Sequence, residues 1–110
     1  MRIAAVVEDL LTYSRIESMA ASAGATLIRV DAPSELPSAA DVELVVVDWG
    51  SRRPEWPDQL ATWRREPGDA RLVLFGPHVD LEAHADARAS GLGPMWARSR
   101  LMRDLPALIG

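Results

Sequence analysis

The stretch "ELVVVDWGSRRPEW", Glu43 to Trp56, decides how this chain folds. Val42 to Val47 is nearly all apolar and β-branched, and too short for a helix. A strand with no polar face must be covered on both sides, which is the signature of a parallel sheet between two layers of helices. The run stops on a carboxylate, Asp48, and a polar loop carrying Pro54 separates it from Pro57, a residue suited to open a helix. Two readings of Asp48 stand side by side at this point. It is either a strand-end acid bonded to loop N–H groups, or a reactive group at the mouth of a site.

Working outward, the same kind of run recurs. "RIAAVV" (Arg2 to Val7), "ATLIRV" (Ala25 to Val30), "ARLVLF" (Ala70 to Phe75) and the short "MWA" (Met95 to Ala97) are the other strands. Asp9 is placed to cap a helix running to about Ala23, with Tyr13, Ile16, Ala20 and Ala23 inward and Gly24 as its stop. "DAPSELPSAAD" holds two prolines and is expected to be a loop with at most one turn of helix. A helix from Pro57 carries Leu60 and Trp63 and ends near Glu66. Another spans about Asp80 to Ser90, closed by Gly91, and Ser99 is placed to cap a last helix with Leu101, Leu105 and Ile109 inward. Alternating strands and helices joined by right-handed crossovers give an α/β three-layer sandwich. The expected sheet is five-stranded and parallel, in the flavodoxin-like order 2-1-3-4-5, with the second helix shortened or missing, and residues 1–110 form one domain. In that order the switch point lies between strands 1 and 3, where ligands sit beyond the C-terminal strand ends. "VVED", "VVDWG", "LFGPH" and "WARSR" therefore define the candidate site.

Composition narrows the function classes. The chain has no cysteine, which removes disulfides and thiolate metal sites and suits a reducing cytoplasm. A net charge of −4 argues against general binding to nucleic acid or anionic membranes. All twelve basic residues are arginine. No apolar run approaches a membrane span, and the first residues lack a signal-peptide core. No Gly-rich phosphate cradle follows strand 1, so a flavodoxin-like small-molecule binder or enzyme is the least favoured reading.

The layout resembles the receiver domains of response regulators, the CheY-like family, over essentially the whole chain. "EDLLTYSRIE", "FGPHVD" and "ARSRL…LP" are similar to a group of short, stand-alone receiver-like proteins. The resemblance implies a phosphoacceptor at Asp48, which ends strand 3, and a Mg²⁺ site from Glu8, Asp9 and Asp48. It implies phosphoryl-binding groups at the ends of strands 4 and 5, where this chain carries Gly76 and Arg98 in place of the family's hydroxyl and lysine. Met95 stands where receivers often carry a switch aromatic. The family acts through protein partners, a sensor histidine kinase upstream and a target downstream. It is not an enzyme beyond self-phosphorylation from a phosphodonor and its reversal. Its contact face is built around the segment that here reads "AHADARASGLGPMW".

The chemistry says why the departures matter. Converging carboxylates repel one another, and a hard cation relieves the repulsion while neutralising phosphoryl oxygens. An arginine fork supplies charge but is bulkier than an ammonium, and Gly76 offers only its backbone N–H. Arg98 is either a phosphoryl ligand or a structural counter-ion to Asp48. Two functions follow. The expected one is an atypical or degenerate receiver, a protein-interaction signalling module without an attached output domain. The alternative is a working phosphoacceptor that uses Mg²⁺ at Asp48. His78 and His84 lie six apart, the wrong spacing for two ligands on one helical face. Ser51 to Arg53 forms a short basic loop, Trp49 is placed beside the site, Trp56 and Trp63 at the core or its edge, and Trp96 on the sheet.

Overall fold

The computed structural model describes residues 1–109. In chain order the elements are β1 (Arg2–Val6), α1 (Leu10–Ser22), β2 (Thr26–Val30), β3 (Leu44–Asp48), α2 (Trp56–Arg64), β4 (Arg71–Gly76), α3 (Leu81–Ser90), β5 (Met95–Ala97) and α4 (Arg98–Ile109). All strand pairs are parallel and the sheet order is β2-β1-β3-β4-β5, as the hydrophobic runs require.

The two-residue period of the strands sorts their side chains into two cores. Ala4, Val6, Val45, Val47 and Leu74 face one side, where they meet Trp56, Leu60 and Trp63 of α2 and Ala83 and Ala87 of α3. Ile3, Ala5, Val46, Val73 and Phe75 face the other, against Ile16 and Ala20 of α1 and Leu101, Leu105 and Ile109 of α4. The alternation continues past the strand ends. Trp49 belongs to the α2/α3 core, so Asp48, one residue earlier and in step with Leu44 and Val46, belongs to the α1/α4 side.

The crossing between β2 and β3 is a loop with one 3-10 turn, Pro33–Glu35, as its two prolines predict. The cover a helix would provide comes from the crossing itself. Ala39 and Val42 are buried, Leu36 packs beside them, and Trp63 donates its indole N–H to the Pro37 carbonyl at 2.7 Å.

Helix ends follow local chemistry. Asp9 caps α1, accepting from the Leu11 N–H and the Thr12 hydroxyl. Asp80 caps α3 through the Ala83 N–H at 3.0 Å, and Gly91 closes it at φ 73°. Because α3 buries only the small side chains of Ala83 and Ala87, this cap is a large share of what holds it. Asp80→Ala is expected to lower stability by about 1 kcal/mol, measured as a shift in the urea midpoint at unchanged slope.

Three expectations need correction. Ala23 is exposed and ends α1 rather than packing inward, while Thr12, held by Asp9, is buried instead. Helix α2 starts at Trp56, with Pro57 second. Ser99 does not cap α4, because the chain passes from Ala97 of β5 straight into helix at Arg98. Among the described residues no helix is long and apolar enough to cross a membrane.

Candidate functional site

Asp48 is the last residue of β3, level with Phe75 of β4, and only 2% of its surface is exposed. The chain turns at once into a 3-10 segment, Trp49–Ser51. That turn brings the Ser51 hydroxyl back to donate to Asp48 Oδ2 at 3.1 Å, and the nearby Gly50 backbone N–H also favours the ionised form. The other oxygen, Oδ1, is buried and has no hydrogen-bond partner. Burial raises the Asp48 pKa above the usual carboxylate value. The Ser51 hydrogen bond, the positive charge of Arg98 and the Gly50 N–H work against that rise, and the charge of Asp9 adds to it.

Arg98 opens α4 at the end of β5, half-buried, and its Nε has no partner. It makes no ion pair with Asp48 within 4.0 Å; the ion pairs of the described residues lie elsewhere. Its charge nevertheless acts on both Asp48 and Asp9. Arg98 and Asp48 are not in contact as an ion pair. A buried carboxylate oxygen and a buried guanidinium nitrogen, both unpaired in one small region, is an uncommon arrangement in a folded protein.

The two acids after β1 are engaged elsewhere. Asp9 is spent on the α1 cap, and its pKa is lowered chiefly by the Thr12 hydroxyl and then the Leu11 N–H. Glu8 points to solvent and pairs with Arg53 at 3.3 Å. Among the described residues no three His, Cys, Asp or Glu side chains converge as a metal site. Magnesium is commonly held by one or two carboxylates plus waters. As placed, this donor set offers one free buried oxygen, Asp48 Oδ1, beside a resident positive charge. It does not fit the ion without Asp9 leaving its cap.

Gly76 ends β4, one step past Phe75 and level with Ala97. A Cβ there would lie 2.8 Å from the Met95 sulfur and 3.2 Å from the Gly50 nitrogen. Met95 thus fills the space that a side chain at residue 76 would use. One contributor was missed in the sequence: Ser51, grouped with a basic loop. The signal was weak: an aspartate and a serine close together mark a turn in which side chains bond locally, without naming the partner. His78 is exposed and does not pair with His84 side chain to side chain; His84 Nε2 meets the His78 carbonyl instead, at 3.1 Å.

A response regulator from Thermotoga maritima superposes with a TM-score of 0.67 at 15% identity, over 98% of this chain and 96% of that one. A receiver domain protein from Clostridium thermocellum gives 0.72 at 15% identity, covering 98% and 90%. A response regulator from Hahella chejuensis gives 0.70 at 17%, covering 98% and 88%. The chain has the receiver fold. No model of a known protein family matches the sequence, and no curated protein does. Within the receiver fold, Asp48, Gly76 and Arg98 stand at the ends of β3, β4 and β5, and the acids Glu8 and Asp9 follow β1.

Proposed function

We propose that this protein is an atypical receiver-type signalling module that acts by binding other proteins rather than by turnover. The observation that carries this reading is the exchange at the end of β4. The hydroxyl that the resemblance calls for is missing at Gly76, and Met95 occupies the space it would need. The lack of a ready cation site, with Glu8 on Arg53 and Asp9 on its own helix, supports it further. Its partners would be a sensor kinase or a downstream target, recognised at the strand-end loops or the α3 face. Its compartment, on this reading, is the cytoplasm.

A second reading, phosphorylation of Asp48, is favoured by the unpaired Asp48 Oδ1 and Arg98 Nε; Mg²⁺ would serve it as cofactor only once Asp9 leaves its cap. On this second reading Oδ1 attacks the phosphorus of acetyl phosphate, the P–O bond to the acetyl group breaks with acetate leaving, and the Arg98 guanidinium would balance the added negative charge. Incubation with acetyl phosphate and millimolar Mg²⁺, followed by intact mass, separates the two. The module reading expects no added phosphoryl mass. A gain that disappears in Asp48→Asn establishes the second reading and removes the first.

A further inference from the structure

Asp48 and Trp49 are neighbours in sequence but serve opposite faces of the sheet, and the turn they begin is anchored at both ends. On one side Ser51 holds the Asp48 carboxylate. On the other, Trp49 is fully buried and its indole N–H donates to the Ala83 carbonyl of α3 at 3.0 Å. Arg52, the residue that closes the turn, repeats the link. Its guanidinium lies 5.7 Å from the Trp49 ring, donates to the Trp49 carbonyl at 3.3 Å, and pairs with Asp86 of α3, the Nε bond being 3.1 Å. The Arg52 side chain is only 17% exposed while Asp86 is half-exposed, so the link draws its weight from being one of three contacts of a fixed guanidinium rather than from the ion pair alone.

The receiving element is lightly held. Helix α3 contributes just two alanines to the core, a small apolar anchor, and helices of this kind belong to the low-stability part of a structure. Two directional links to one turn therefore weigh heavily in where α3 sits. Leu81 at its start and Val79 before it are 77% and 72% exposed, so a shift of α3 alters an apolar surface open to partners.

We infer that the state of the Asp48 carboxylate is transmitted to α3 through Trp49 and Arg52, by way of the indole–Ala83 hydrogen bond and the Arg52–Asp86 pair. This rests on the signalling reading above but not on whether Asp48 is phosphorylated. The route replaces one through Gly76 and Met95, which carry no hydroxyl and no aromatic ring. Trp49 and Arg52 are positioning residues here, and coupling between two sites must be demonstrated by a cycle of variants rather than by adjacency.

The test is backbone amide hydrogen exchange on the whole chain, with Asp48→Asn as the input and the amides of residues 81–90 as the readout. Amides of β1 serve as the control for global opening. Under conditions where α3 opens locally and exchanges well ahead of β1, Asp48→Asn is expected to change α3 exchange itself by roughly threefold to tenfold, within the span for residues of one network, while β1 reports the separate change in global stability. In an Asp86→Asn background the same input is expected to move α3 by less than about twofold, the limit of simple additivity. Asp86 is half-exposed, so this variant folds. Trp49→Phe, which keeps the ring and removes the N–H, is expected to blunt the response likewise. The inference is overturned if local exchange of α3 does not respond to Asp48→Asn, or responds equally in the Asp86→Asn background. A phosphoryl mass gain would overturn the module reading and leave this result standing.

Discussion

Gly76→Thr is expected to destabilise the protein by about 2–3 kcal/mol, the upper part of the range for forcing atoms into a packed core. Its Cβ would press on the Met95 sulfur at 2.8 Å and on the Gly50 nitrogen at 3.2 Å. Met95→Ala alone should cost about 2–3 kcal/mol as well, by emptying a buried site. The informative variant is the double one. With the thioether removed, threonine has room, so the pair should cost about as much as either change alone, a coupling of about 2 kcal/mol. Urea unfolding of the four proteins measures it. Strict additivity would show that Met95 does not fill the space over Gly76. The Gly50 contact is backbone and yields little, so the double variant should not regain full stability.

The second large effect concerns Asp48 itself. Asp48→Asn is expected to raise stability at neutral pH by about 1–2 kcal/mol, the scale of relieving a poorly satisfied buried group, and to raise Tm by several degrees. The sign follows from the raised pKa, which burial causes. A carboxyl whose folded pKa lies above its unfolded one binds its proton more tightly when folded. The native state therefore gains from protonation at low pH, and that gain is lost as pH rises through the folded pKa. Asparagine mimics the neutral form at every pH. The advantage of the variant should thus be full above the folded pKa and vanish below the unfolded value of about 3.9. Thermal melts across that range check it. A variant less stable than the parent at pH 7 would mean that Ser51, Gly50 and Arg98 together outweigh the burial penalty.

Much of the fold was legible because burial on both faces leaves a mark in composition. Val45 to Val47 and Val73 to Phe75 are apolar without alternation, and only a covered parallel sheet accepts such strands. Chain order and right-handed crossovers then fix the strand order. The prolines of the β2–β3 crossing correctly predicted the lost helix. The site was legible as a set of positions, since strand ends locate Asp48, Gly76 and Arg98. What periodicity does not carry is where each polar group spends its hydrogen bonds. Nothing in "VVED" shows that Asp9 turns back on Thr12 while Glu8 reaches out to Arg53. Trp49, expected beside the site, instead follows Val45 and Val47 by strand alternation into the α2/α3 core. Its hydrogen bond to Ala83, 34 residues away, was not legible in the sequence.

The crossing between β2 and β3 has a consequence for the unfolded chain. In place of a helical ladder it closes turn bonds, from the Glu35 N–H to Ala32, Leu36 to Pro33 and Asp41 to Ser38. Such a segment would be costly to order if it began fully free. Pro33 and Pro37 restrict it before folding starts, each removing about 0.4–1 kcal/mol of chain entropy that would otherwise be lost. The crossing keeps one shape without a helix partly because the denatured chain had fewer shapes to give up.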